Sequence, residues 1–162
     1  INMGRPSFNR SEIPMEGAEG RVLNEDLCVN GANWKITSLL MGVPHTVTYV
    51  DDVDTVDIEK IGPLFEKHEA FPKHTNINFA QQMDDRTVKV RTWERGAGAT
   101  LACGTGSCSV AVASFLNGHT GREVDIQLPL GTLHIEYREE DGNVYMTGPA
   151  AVSFTGTWPD ET

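Results

Sequence analysis

No apolar run in the sequence approaches the length of a membrane span, and nothing in it resembles a signal peptide. No membrane partner is expected, and the cysteine usage fits a cytoplasmic location. Positive charge is scarce. Thirteen Lys and Arg stand against 23 Asp and Glu, a formal net charge of −10. That balance repels phosphate backbones and excludes nucleic acid as a partner. Cysteine is also scarce: Cys28, Cys103 and Cys108 are odd in number and follow no disulfide or zinc spacing. Such usage fits a reducing compartment. His68, His74, His119 and His134 are spaced without metal-site logic, so no metal is expected. Repeats, low-complexity segments and flexible linkers are missing. What remains, 162 residues with 39% hydrophobic content, suffices for one ordinary domain or two small lobes with a core. The chain starts at Ile1 without an initiator methionine, and its first residues read as strand. It is therefore expected to be an interior cut through a longer protein.

What is present is a succession of short strands between frequent turn signals. Arg21 to Val29 and Trp34 to Met41 flank Asn30-Gly31, a strong hairpin signal. His45 to Val50 reads as a further strand. Asp57 is placed to cap a helix running to about His68, with Ile58, Ile61 and Phe65 on one face. Pro63 should kink or restart that helix. Asn76 to Gln82 and Thr87 to Trp93 flank Asp84-Asp85 as a second hairpin. The helix after Cys103 should end near Asn117-Gly118, and its all-round apolarity predicts burial on every side. Val124 to Leu128, Thr132 to Tyr137 and Val144 to Thr147 form a closing meander, with a turn at Asp141-Gly142. The pattern predicts an α+β fold: antiparallel strands wrapped around a central buried helix.

Cys103 carries the clearest chemical signal. It lies between a Gly-rich approach (Gly96, Gly98) and a Gly104-Thr105-Gly106 turn at the start of that helix. Glycine permits tight turns and close approach of a ligand to the backbone. Unpaired N–H groups at a helix start favour an anion, and the same positive end lowers a thiol's pKa. Cys103 is thus expected to alkylate faster than Cys28 and Cys108. Cys108, five residues on, points elsewhere on the helix and is expected to pack. Cys28, in a strand near a turn, is expected to be structural.

Three ordered blocks resemble one family. Glu94-Arg95-Gly96-Ala97-Gly98 followed by Ala102-Cys103-Gly104-Thr105-Gly106 is similar to the signature of diaminopimelate epimerases. Met41-Gly42-Val43-Pro44-His45 resembles that family's Met-Gly-x-Pro-His element. Phe71-Pro72 with Asn76, Phe79 and Gln81 resembles its Phe-Pro-x-x-x-Asn-x-x-Phe-x-Gln element. With the terminal Thr147-Gly148-Pro149-Ala150, these blocks span nearly the whole chain. Val43 stands where the family most often has Asn, and Ala99 where it often has Glu.

The resemblance implies that residues 1–162 are the C-terminal lobe of a two-lobe enzyme, with a last strand at about 149–157 packing toward the N-terminal lobe. It implies that each lobe gives one catalytic cysteine to a shared site. A second block of the family's Cys-Gly-Asn-Gly type does not occur in the sequence, so the missing N-terminal lobe is an expected partner. The implied activity is interconversion of LL- and meso-2,6-diaminopimelate in lysine biosynthesis, with neither pyridoxal phosphate nor any other cofactor. Cys103 would be one catalytic base. Gly104 and Thr105 would bind the substrate α-carboxylate through their backbones, and Asn76, Glu94 and Arg95 would contact the diamino-dicarboxylate. His45 would support the site by tuning ionisation. A homodimer is compatible with this reading. The alternatives are a related isomerase of the same superfamily, a cysteine hydrolase using Cys103 and His45, and a non-catalytic domain that binds a small acid.

Overall fold

Asn30 and Gly31 turn the chain with positive φ at both positions, +54° and +75°, the left-handed pair that a type I′ hairpin needs. They join β1 (Val22–Val29) to β2 (Ala32–Met41). The structure is a computed structural model that describes residues 1–159. Gly42 turns β2 into β3 (Val43–Tyr49). A 3-10 turn at Val53–Thr55 leads into α1 (Ile58–Glu66), where the Asp57 carboxylate accepts from the Lys60 amide as the predicted cap. Then come β4 (Asn76–Gln82), β5 (Thr87–Glu94), a short β6 (Gly98–Thr100) and α2 (Gly104–Leu116). The meander β7 (Glu123–Leu128), β8 (Gly131–Tyr137) and β9 (Val144–Thr147) closes the fold. No helix among the described residues is long and apolar enough to cross a membrane.

The strands form one sheet in the order β1-β2-β3-β4-β5-β7-β8-β9, with β6 paired to the end of β5. The sheet is mixed rather than purely antiparallel. β3 runs parallel to β4, and β5 runs parallel to β7. In each case a helix lies between the two strands in sequence, and a helical crossover returns the chain in the same direction. The sheet curls around α2, which touches β2, β3, β4, β5, β7, β8 and β9. Gly106 through Ser114 are all buried, as the all-round apolarity predicts. α1 covers the other face against β4, β5 and β6.

β4 shows how the two layers share one strand. Successive side chains point to opposite faces. Ile77 and Phe79 enter the α1-side core with Phe65 and Phe71, whereas Ala80 enters the α2-side core with Val110 and Val112. Asn76 and Asn78 therefore face the α2 side, on which Cys103 lies.

Two expectations change. Pro63 does not restart α1; the helix runs through it, and the Lys67 amide bonds to the Pro63 carbonyl. Packing of Gly62 and Phe65 onto the sheet outweighs the one hydrogen bond proline removes. The first nine residues form no regular strand. They make three isolated bridges, Asn2 to Tyr145, Ser7 to Leu40 and Asn9 to Arg21. Residues 149–157 take no strand conformation and are exposed throughout; their packing toward an N-terminal lobe belongs to the two-lobe reading.

Candidate active site

Cys103 is the N-cap of α2, with the extended backbone (φ −140°, ψ 109°) that a capping residue adopts. Its sulfur does the capping: the Gly106 amide donates to Sγ at 3.4 Å. The Thr105 hydroxyl lies 3.6 Å from the same sulfur. Ser107 bonds back to the Cys103 carbonyl with both its amide and its hydroxyl, each at 2.9 Å. The amides of Gly104 and Thr105 have no protein acceptor among the described residues, as expected for the first turn of a helix. Sequence and structure agree on a sulfur placed beside unpaired N–H donors.

The thiol's ionisation differs from the expectation. Only 6% of Cys103 is exposed, and that burial pushes its pKa above the ordinary thiol value. The Thr105 hydroxyl and the Gly106 amide pull the other way, and the Glu94 carboxylate, by charge and hydrogen bonding, adds to the rise. Desolvation disfavours the charged form more than the helix end favours it. Cys108, fully buried, is pushed to about 12 by burial first and by the neighbouring Cys103 second. Cys28 is exposed rather than packed. Expected labelling by iodoacetamide at pH 7.5 therefore reverses, with exposed Cys28 ahead of buried Cys103 and Cys108 slowest. Mass-mapped kinetics check this, and a faster Cys103 would show a sulfur more ionised than its burial allows.

Glu94 and Arg95 sit where β5 leaves the sheet, and two anchors hold that corner. The Asn76 side chain accepts from the Arg95 amide at 2.7 Å and donates to the Pro44 carbonyl at 2.9 Å, tying the corner to β3. Both ends of the Asn76 carboxamide are thus engaged by backbone, which leaves one N–H for a ligand. The Arg95 guanidinium is exposed and donates to the Lys73 carbonyl at 2.8 Å. The second anchor, Glu66, was not anticipated. Its carboxylate accepts from the Trp93 indole at 2.7 Å and from the Gly96 amide at 3.2 Å. The sign in the sequence is a carboxylate four residues after Gly62, on the helix face that is buried. That face sits tight on Trp93: a Cβ at residue 62 would lie 2.6 Å from the indole.

His45 is fully buried and reaches Cys103 only through Thr105, with Nε2 3.0 Å from the Thr105 hydroxyl. Burial first, then the charge of Arg95, lowers its pKa to about 3, so the ring is neutral near pH 7. Its other nitrogen meets the side chain of Asn78, a second residue that sequence reasoning missed. A cleft of about 520 Å³ lined by Arg86, Arg122, Asp125 and His134 holds none of these groups.

The chain has close relatives among known proteins. It is 51% identical over its full length to the diaminopimelate epimerase of Pelotomaculum thermopropionicum, covering 58% of that protein. It is 49% identical over 98% of its length to that of Heliobacterium modesticaldum, covering 57%. The chain thus spans little more than half the length of the curated relatives it matches. A crystal structure of a phenazine biosynthesis protein of the PhzF family from Enterococcus faecalis superposes with a TM-score of 0.48 at 12% identity, over 60% of this chain and 35% of that one. The family model described as diaminopimelate epimerase matches residues 37–153, and with these identities it shows that the chain belongs to the diaminopimelate epimerase family.

Proposed function

We propose that the chain is the C-terminal lobe of a cofactor-independent epimerase that interconverts LL- and meso-2,6-diaminopimelate, with Cys103 as one of two proton-transfer groups. The observation that carries the proposal is the sulfur capping α2 beside the unpaired amides of Gly104 and Thr105, in a chain whose family is established. A thiolate on the opposing lobe removes the substrate α-proton, and the C–H electron pair stays on carbon. The Cys103 thiol delivers its proton to the other face and is left as thiolate; in the reverse direction the roles exchange. Burial keeps Cys103 protonated near pH 7, which suits the donor role. With no Schiff base in the reaction, the carbanion is stabilised through the α-carboxylate by preorganised N–H donors. Gly104 and Thr105 supply two. The exposed guanidinium of Arg95 offers a fork for the distal carboxylate. The reaction would serve lysine biosynthesis in the cytoplasm, and the partner is the N-terminal lobe, within a protein able to form a homodimer.

Deuterium incorporation from D2O at the α-carbon of LL-diaminopimelate tests the proposal. Chain joined to an N-terminal lobe should exchange and epimerise, and Cys103→Ala should remove at least about 10³-fold of that rate. The 162-residue chain by itself should show no enzyme-like rate, because it has one base and half of the carboxylate site. Full-rate exchange by the isolated chain, or by Cys103→Ala in the two-lobe protein, would sink the reading.

A further inference from the structure

We infer that Asn78 is a positioning residue: it fixes the ring tautomer of His45 and so turns the hydroxyl proton of Thr105 onto the sulfur of Cys103. The inference rests on the reading of Cys103 as a proton-transfer group. It starts from a side chain with no exposure at all, Asn78, on the α2-facing side of β4. Its carboxamide is held at three points. Nδ2 lies 3.1 Å from the Thr46 carbonyl, an oxygen that can only accept. Oδ1 accepts from the Thr92 hydroxyl at 2.9 Å. The orientation of the amide is thereby determined, and its nitrogen end is also the one 3.2 Å from His45 Nδ1.

An amide nitrogen donates and cannot accept, so Nδ1 must present its lone pair. A neutral imidazole has one ring proton, and here it is left to Nε2. Nε2 donates to the Thr105 hydroxyl oxygen at 3.0 Å. That hydroxyl has one proton of its own, and the acceptor beside it is Sγ of Cys103 at 3.6 Å. Each donor in the series Asn78, His45, Thr105 and Cys103 then points the same way. The opposite tautomer would set an N–H of His45 against an N–H of Asn78. It would also let the Thr105 hydroxyl donate back to Nε2, leaving oxygen lone pairs against the sulfur. The inferred direction stabilises the thiolate whenever it forms, and the opposite direction would favour the thiol.

Two further features suit this relay. A second ring proton on His45 would have to form in a fully buried site near the Arg95 cation. Glycine at 106 lets the amide and the sulfur reach the first helical turn together. A Cβ there would lie 2.6 Å from Asn78 Oδ1 and 3.1 Å from Cys103 Sγ.

The tautomer can be read directly. Long-range 1H–15N spectra of the full chain at pH 7, with His45 assigned by its loss in His45→Gln, should show a protonated Nε2 and a bare Nδ1. A proton on Nδ1 in the unaltered chain overturns the inference and needs no variant. Asn78→Asp, whose carboxylate only accepts, should put a proton on Nδ1; a ring unchanged by that substitution also overturns it. Thr105→Val should keep the tautomer and raise the Cys103 titration, followed by alkylation rate against pH, by about one pH unit, and Thr105→Ser should restore it. An unmoved titration in Thr105→Val overturns the last link. If the tautomer and the titration behave as expected but two-lobe protein does not exchange deuterium, the proposed function fails and the relay stands. Exchange with the wrong tautomer sinks the relay alone.

Discussion

Between pH 7 and pH 5 the folded chain loses about 2 kcal/mol of stability through His45 alone. The imidazole has an ordinary value of 6.5 and is held at about 3 in the fold, by burial and then by Arg95. Above pH 6.5 it is neutral in both folded and unfolded chains, and its full contribution is present. Below 6.5 the unfolded chain takes up a proton that the folded chain refuses, so stability falls by about 1.4 kcal/mol per pH unit until the folded pKa is reached. The interval from 6.5 to 5 lies above the ordinary carboxylate range. Asp26, Asp84 and Asp141 are lowered still further by their hydrogen bonds, to Lys35, to the Arg86 amide and to the Asn143 amide respectively. Urea unfolding at pH 7, 6 and 5 reads the slope. His45→Gln should be less stable at pH 7 and nearly flat across the interval, and a variant that keeps the full slope would place the acid sensitivity elsewhere. Below the folded pKa the imidazolium would also turn an N–H toward Asn78, so the same proton that destabilises the fold disrupts the contacts leading to Cys103.

The features legible in the sequence were local ones. Asn30-Gly31 needs only two residues to declare a left-handed turn, Asp57 needs only the first helical turn to cap, and Cys103 needs only its glycines to mark a helix start. The structure brings together Glu94, Arg95, Asn76, His45, Gly104 and Thr105 near that start. What could not be read depends on contacts distant in sequence. The parallel ladders of β3 with β4 and of β5 with β7 are decided by where the helices pack, not by the strands' own alternation. The direction of the Cys103 shift depends on desolvation, which is a property of everything stacked around the sulfur. Asn78 stands in a run, Asn76 to Gln82, that reads as an ordinary strand. Only the sheet shows that it faces His45 and Thr46 on β3 and Thr92 on β5. Thr105 was assigned for its backbone, yet its hydroxyl also lies 3.6 Å from the Cys103 sulfur.

Phe79→Ala should cost about 3–5 kcal/mol, the range for removing a buried aromatic ring from a packed core. Phe79 has no exposed surface and sits edge-on to two other rings, Trp34 with centroids 6.1 Å apart and Phe65 at 5.7 Å. Trp34 and Phe65 also meet each other at 5.3 Å, so the three rings form one closed contact and each edge contact adds to the area buried. The ring joins α1 to the sheet, since Phe65 lies on α1 and Phe79 on β4. Total stability of a domain is about 5–15 kcal/mol, and the loss is roughly a fifth or more of it. Urea unfolding should show a lower midpoint at unchanged slope, and Phe79→Leu should recover most of the difference by refilling the volume. The direction of the side chain makes the prediction specific. Phe79 points to the α1 layer and Asn78 to the α2 layer, so below the unfolding transition Phe79→Ala should leave the His45 tautomer and the Cys103 titration where they are. A shift in either would mean that the two faces of β4 are coupled through the backbone more tightly than alternation along a strand allows.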